Sequence, residues 1–166
     1  MNDPTTTDLV LTAAVLLWLL SRQLRERPLR EQPVAGLVLL AIGAVQTGWY
    51  ATVRPLSVRD GALVAASLVI GIALAAVRAY TVRLAVRDGR VTRRGTPLTA
   101  VLWVAGLGQH FLIDTQVAAG LGAVTVLCYF GVVLLAQQWV LVARAGAAGL
   151  RGPSRAAAAA AGLPGR

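Results

Sequence analysis

The chain has 166 residues, of which 57% are hydrophobic and 14% are charged, and its mean hydropathy is +0.68. Soluble globular domains are about 45–50% apolar and about 25% charged, so this composition excludes an ordinary soluble domain. The net charge of +9 does not indicate nucleic-acid binding, because the arginines cluster between long apolar runs instead of covering a polar scaffold. We therefore expect no nucleic acid among the partners.

Five apolar segments approach or exceed the length of a transmembrane helix, which needs about 20 residues to cross the hydrocarbon core. We predict these helices at about residues 5–21, 32–53, 60–80, 96–113 and 115–143. The first segment is the weakest prediction, because Asp8 interrupts it. The predicted fold class is all-α, a polytopic membrane helix bundle with five transmembrane helices.

The five helices are expected to form a single domain over residues 1–145. Small residues recur at every fourth position of the third predicted helix, at Ser67, Gly71 and Ala75, which predicts close helix contacts within the bundle. Residues 146–166 are of low complexity, with an alanine run between Gly and Pro residues, and they predict a disordered cytoplasmic tail.

The distribution of arginines predicts the orientation of the bundle, because cytoplasmic loops hold most basic residues. Arginines are frequent in the loops after the first and third predicted helices and in the tail, whereas the N-terminus and the loop around Asp114 have none. Five spans with the N-terminus outside and the C-terminus inside fit this distribution, and four spans do not. We expect a multi-pass protein of the bacterial cytoplasmic (inner) membrane.

The loop after the third predicted helix contains most of the arginines that could form a binding site. Asp88-Gly89, between two runs with apolar residues, predicts a short β-hairpin within residues 81–95, with Ala85 opposite Thr92. If the third helix continues instead, the arginines follow the spacing of one helical face. Helix and hairpin both remain open here. The four arginines that share a face in either case are Arg83, Arg87, Arg90 and Arg94.

These four arginines are the predicted lipid- or anion-binding site. Directly opposed like charges destabilise a hairpin, so the arrangement is favourable only if an anion neutralises the face. Guanidinium groups match phosphate geometry, and basic residues beside a membrane are attracted to its anionic leaflet. The expected partners are therefore the anionic headgroups of membrane lipids, with an acidic protein in the membrane as the alternative.

A second candidate site is a set of polar residues near the outer ends of the predicted helices. His110 and Asp114 are four residues apart, so they share a helical face and can hydrogen-bond, and a histidine oriented by a carboxylate can transfer protons. The alternative is a merely solvated pair at the membrane interface, where polar groups cost little. The residues of this outer polar set are Gln46, Tyr50, Asp60, Gln109, His110 and Asp114.

The residue inventory points away from catalysis. One His and one Cys cannot supply a zinc cage or a bis-histidine haem site, and no Gly-rich phosphate loop is present, so no metal or other cofactor is expected. The favoured interpretation is a non-enzymatic accessory or scaffold with an arginine-rich cytoplasmic face. The alternative is a transporter-like or ligand-binding bundle that uses the outer polar set around His110.

Residues 54–103 resemble small actinobacterial membrane proteins that are grouped as CcdC-like, a name taken from cytochrome c biogenesis. The residues that carry the resemblance are Arg78, Thr81, Arg83, Leu84, Asp88-Gly89 and Arg93-Arg94-Gly95-Thr96. The resemblance implies a small integral membrane protein of largely unassigned function, without catalytic residues. It also suggests a weaker alternative function, an assembly factor for respiratory or haem proteins.

Overall fold

The computed structural model describes residues 27–29, 34–87 and 90–150. Its helices and strands, numbered here in chain order, are β1 (Arg27–Pro28), α1 (Val34–Val53), α2 (Val58–Thr81), β2 (Arg83–Arg87), β3 (Arg90–Arg94), α3 (Pro97–Asp114) and α4 (Leu121–Ala147). The described part of the chain is therefore mostly helical, with one small sheet. The predicted helix at 5–21 and most of the predicted tail lie outside these residues.

Consecutive helices run antiparallel, as the hydrogen bonds between their ends show. Tyr50 Oη at the end of α1 donates to Ala119 O (2.8 Å), so the α1–α2 and α3–α4 connections meet at one end of the bundle, called here the loop end. At the other end, the hydroxyls of Thr81 and Thr99 lie 2.7 Å apart and join the end of α2 to the start of α3. The strands lie at this second end, called here the sheet end.

Two helices begin at side-chain caps that the local sequence supplies. Ser57 Oγ accepts from the backbone N–H of Asp60, whose carboxylate accepts from the backbone N–H of Ser57, which forms a capping box at the start of α2. Thr96 and Thr99 exchange the equivalent bonds before α3, where Pro97 occupies the first turn. These caps satisfy backbone donors that the first helical turn leaves unpaired.

Close approach of α1 and α4 depends on glycine. A Cβ atom built on Gly43 would lie 2.1 Å from the backbone nitrogen of Cys128, and one built on Gly131 would lie 2.5 Å from the backbone nitrogen of Leu40. Neither position has space for a side chain, so the two helix backbones are in direct contact.

The small residues predicted to line a helix interface are buried inside the bundle. Ser67, Gly71 and Ala75 all face the interior of the bundle from α2. A Cβ atom on Gly71 would lie 2.5 Å from Cε2 of Tyr129 on α4. The prediction of close packing along this face is confirmed.

Three of the described helices, α1, α2 and α4, are long and apolar enough to cross a membrane. The bundle also exposes large apolar side chains, among them Trp49 (72% exposed) near the loop end and Trp139 (75% exposed) on α4. Such a surface suits contact with lipid. The prediction of helices long and apolar enough to cross a membrane is confirmed for these three, whereas the count of five is not: α3, which contains Gln109 and His110, is not among them.

The bounds of the last helix differ from the prediction. α4 begins at Leu121 and ends at Ala147, whereas the sequence predicted 115–143. Residues 115–120 form the connection at the loop end, where Gly120 has a φ of 85° directly before the helix. Only glycine adopts this left-handed conformation without strain, so the helix cannot extend smoothly through this position.

The segment at 83–94 is a β-hairpin, and the helical alternative is wrong because α2 ends at Thr81. Ala85 pairs with Thr92, Arg83 with Arg94 and Arg87 with Arg90, in the register that the sequence predicted. The sequence did not predict that β1 pairs with the free edge of β3.

The hairpin is held to the bundle through its apolar face. Leu84 packs against a buried cluster formed by Ala79, Val82 and Leu141. Leu29, which follows β1, packs against the same cluster and donates its backbone N–H to Val91 O (2.8 Å). The sheet therefore covers one end of the bundle and turns its other face outward.

Candidate functional site

The outward face of the hairpin brings the four predicted arginines together. Residues of one strand alternate between the two faces, and the observed register places both arginines of β2 opposite Arg90 and Arg94 of β3 on one face. All four are exposed. We call Arg83, Arg87, Arg90 and Arg94 the arginine face.

The inward face of the hairpin contacts the helices instead. Arg93 lies on this side and donates from Nη1 to Oε1 of Gln138 on α4, at 3.4 Å. This bond joins the inward face of the sheet to α4. Because successive side chains of a strand point to opposite faces, the hairpin geometry alone places Arg93 on the face opposite the arginine face.

The electrostatics of the arginine face are unfavourable without an anion. Two pairs of like charges lie directly opposite one another, an arrangement that destabilises paired strands. Among the described residues the carboxylates are Asp60 and Asp114, and both lie at the loop end, far from the sheet. An anionic partner would therefore be attracted to the exposed positive charge of this face.

A groove of about 1060 Å³ adjoins the arginine face. Arg83 belongs to both, and the walls include the partly or fully exposed apolar side chains of Leu98 and Leu150. Arg144 lies in the groove, where its Nη1 donates to Ala79 O and to Val82 O (3.2 Å) at the end of α2. The groove thus combines apolar walls with guanidinium groups at the sheet end of the bundle.

The residues of the predicted outer polar set do not form one site. Tyr50 and Asp60 join the connections at the loop end: Asp60 Oδ1 accepts from the backbone N–H of Ala118 at 3.0 Å. Gln46 is exposed on α1, and its side chain makes no hydrogen bond within the described part of the chain. Tyr50 and Asp60 therefore hold the connections at the loop end together, whereas Gln46 takes no part in these contacts.

His110 is buried rather than solvated, with 5% of its surface exposed. Its Nδ1 lies 3.1 Å from Oγ of Ser67 on α2, and its ring stacks on that of Tyr129 on α4 with centroids 4.4 Å apart. The predicted bond to Asp114 does not form, because the carboxylate lies against Gly122, where an added Cβ would be 1.6 Å from Asp114 Oδ1. The interior of the bundle, not a carboxylate, orients this histidine.

Gln109 extends the contacts of His110 into a polar cluster. Its Nε2 lies 3.2 Å from Ser67 Oγ and 3.2 Å from Tyr129 Oη, and that hydroxyl donates to Gly106 O at 2.7 Å. We call Ser67, Gln109, His110 and Tyr129 the interior polar cluster.

Ser67 and Tyr129 were not predicted as site residues. The sequence marks Ser67 only as a small residue at a helix contact, and Tyr129 lies in a long apolar segment that gives no sign of a polar role. Their role depends on which helices are neighbours, and the sequence pattern does not specify that.

Two atoms of the interior polar cluster are buried without a hydrogen-bond partner, Gln109 Oε1 and His110 Nε2. Leaving a buried polar atom unpaired costs about 1–3 kcal/mol. The cluster is therefore incomplete as the described residues form it, and a polar ligand atom could complete it. Within those same residues, no group of three or more His, Cys, Asp or Glu side chains could hold a metal ion.

Comparison with known proteins does not identify a family for this chain. No family model, curated protein or solved structure matches the chain.

Proposed function

We propose that this chain is a non-enzymatic accessory or scaffold protein of the bacterial cytoplasmic membrane whose arginine face binds anionic lipid headgroups. The proposed topology has five spans, with the N-terminus outside and the sheet end at the cytoplasmic side. The observation that carries the proposal is the arginine face itself, because it presents four exposed guanidinium groups with the described carboxylates at the opposite end.

The position of the arginine face favours lipid as its partner. The sheet lies at one end of helices that are apolar enough to cross a membrane, so in this topology its arginines are near the headgroups. Each basic residue close to an anionic leaflet contributes about 1 kcal/mol of attraction, and four would contribute about 4 kcal/mol. That attraction offsets the repulsion between the paired arginines.

The groove beside Arg83 supports the same proposal. An anionic lipid has a charged headgroup and apolar chains, and the groove offers Arg83 together with apolar walls that include Leu98. An acidic protein segment would use the arginines without needing the apolar walls, so the groove favours lipid over that alternative.

The test measures which lipids the purified full-length chain retains from a mixture of zwitterionic and anionic phospholipids, by native mass spectrometry. We expect the wild-type protein to be enriched in anionic lipid, and a variant with Arg83, Arg87, Arg90 and Arg94 all changed to Gln to lose that enrichment. The same four positions changed to Lys should keep most of it, because charge supplies most of the attraction.

Arg59→Gln serves as the control, because Arg59 is exposed at the loop end and lies outside the arginine face. Its lipid retention should match that of the wild type. Equal enrichment in the wild type and the fourfold Gln variant would refute lipid binding at this face. Loss of a co-purifying acidic protein in that variant, with lipid retention unchanged, would favour the protein partner.

A ligand-binding bundle is the second candidate function, favoured by the unpaired Gln109 Oε1 and His110 Nε2. A transported or sensed molecule with a polar group could bind between α2, α3 and α4. This function predicts that His110→Ala changes solute uptake in cells at an unchanged amount of protein in the membrane. If the variant changes only the amount of folded protein, the interior polar cluster has a structural role.

A further inference from the structure

Arg78 is a charged residue in the last turn of α2 that is buried in the bundle, with 3% of its surface exposed. Its Cζ lies 5.9 Å from the ring centroid of Trp103 on α3. That contact uses the face of the indole ring and satisfies no N–H group. Arg78 Nε, Arg78 Nη2 and Trp103 Nε1 are all buried without a hydrogen-bond partner.

Arg78 and Trp103 line one small cavity between α2, α3 and α4, with a volume of about 10 Å³. A space of this size holds about one water-sized particle. Tyr129 also lines the cavity, but its hydroxyl already donates to Gly106 O and accepts from Gln109. The unpaired groups of Arg78 and Trp103 are all donors, so the cavity requires an acceptor.

The positive charge of Arg78 favours an acceptor that is negatively charged. The carboxylates of the described residues, Asp60 and Asp114, lie at the loop end, whereas Arg78 is one turn from the sheet end of α2. A guanidinium removed from water without a counter-charge is strongly destabilised. Within the part of the chain that the structure describes, a neutral water molecule would accept hydrogen bonds but would leave the charge of Arg78 uncompensated.

We propose that this cavity binds a small monovalent anion of halide size, held by Arg78 Nε, Arg78 Nη2 and Trp103 Nε1. One guanidinium balances one negative charge, and a cation is disfavoured because neither side chain carries an acceptor. The volume is too small for a phosphate or a lipid headgroup, so this site is separate from the arginine face and does not depend on the function proposed for it.

The experiment measures the thermal unfolding midpoint of the full-length protein in detergent micelles, in chloride and in gluconate at equal ionic strength. Gluconate is too large for the cavity, so only chloride should stabilise the folded state through binding. We expect the midpoint to rise with chloride concentration and to saturate. Arg78→Gln should abolish this dependence. Trp103→Phe should raise the half-saturating chloride concentration about tenfold, because one hydrogen bond to a charge is lost.

Arg59→Gln is the matched control, since it removes an exposed arginine at the loop end, outside the arginine face, and leaves the cavity intact. It should show the chloride dependence of the wild type. The proposal is overturned if the wild type shows no chloride dependence, if Arg78→Gln retains it, or if Arg59→Gln loses it. If Arg78→Gln does not fold, Trp103→Phe decides: an unchanged half-saturating concentration overturns the proposal.

Discussion

Gly43 shows how a single residue sets the distance between two helices. Its Cα faces the backbone of α4, and an added Cβ would lie 2.6 Å from Cα of Cys128. Backbone atoms cannot turn away as a long side chain can, so the helices must separate to admit a methyl group. The contact between α1 and α4 is therefore specified by the absence of a side chain.

We expect Gly43→Ala to lower the free energy of unfolding by about 1–3 kcal/mol, which is the usual cost of overpacking a close contact. The measurement is unfolding of the purified protein in mixed micelles by SDS, followed by circular dichroism. Gly48→Ala is the matched control on the same helix, because an added Cβ there has no neighbour within 4 Å. The control should be neutral or slightly stabilising, since Ala favours a helix over Gly. Equal effects of the two changes would contradict the close contact.

At the scale of secondary-structure elements, Arg144 connects the end of α4 to the end of α2. Its guanidinium donates to the carbonyls of Ala79 and Val82 and lies over the ring of Tyr80, with Cζ 5.0 Å from the ring centroid. Carbonyl groups at a helix C-terminus have no partner within the helix, and a cation there is favoured by the helix dipole. This contact fixes where α2 ends and the hairpin begins.

Arg144→Gln should destabilise the protein by about 1.5–3 kcal/mol, the contribution expected of hydrogen bonds to a charged group. The loss should be greatest in protection of the backbone amides around Val82, as measured by hydrogen exchange. Arg83→Gln removes a nearby arginine that is exposed, and it should leave stability within about 0.5 kcal/mol of the wild type. Normal protection around Val82 in Arg144→Gln would show that the cap is dispensable.

The sequence predicted the individual helices and strands better than it predicted which of them pack against one another. Asp88-Gly89 and alternating residues sufficed for the hairpin and its register, because turn chemistry and strand alternation are local. The interior polar cluster could not be predicted, since Ser67 and Tyr129 meet His110 only through the packing of three helices. The burial of Arg78 against Trp103 likewise depends on tertiary contacts.

For the molecule as a whole, the two ends of the bundle differ in charge. The sheet end carries the arginine face and Arg144, whereas the loop end carries Asp60 and Asp114 together with Arg54 and Arg59. This difference matches the excess of basic residues that cytoplasmic loops carry. This support for the proposed orientation does not depend on the predicted helix at 5–21. That helix determines only on which side of the membrane the N-terminus lies.

Labelling of single cysteines can test this orientation, because Cys128 is the only cysteine in the chain and can be replaced by alanine. In intact spheroplasts, a membrane-impermeant maleimide should label Thr115→Cys at the loop end. Arg90→Cys on the arginine face should be labelled only after lysis, because the proposed topology places it in the cytoplasm. Both positions are exposed, so a difference in labelling reports the side of the membrane.

Asn2→Cys then gives the number of spans. If residues 5–21 cross the membrane, it should be labelled from outside together with Thr115→Cys, as five spans require. Labelling of Thr115→Cys with protection of Asn2→Cys would show that the first segment does not cross and that the bundle has four spans. Labelling of Arg90→Cys in intact spheroplasts would reverse the orientation, and the arginine face would then meet the outer leaflet instead of the cytoplasmic one.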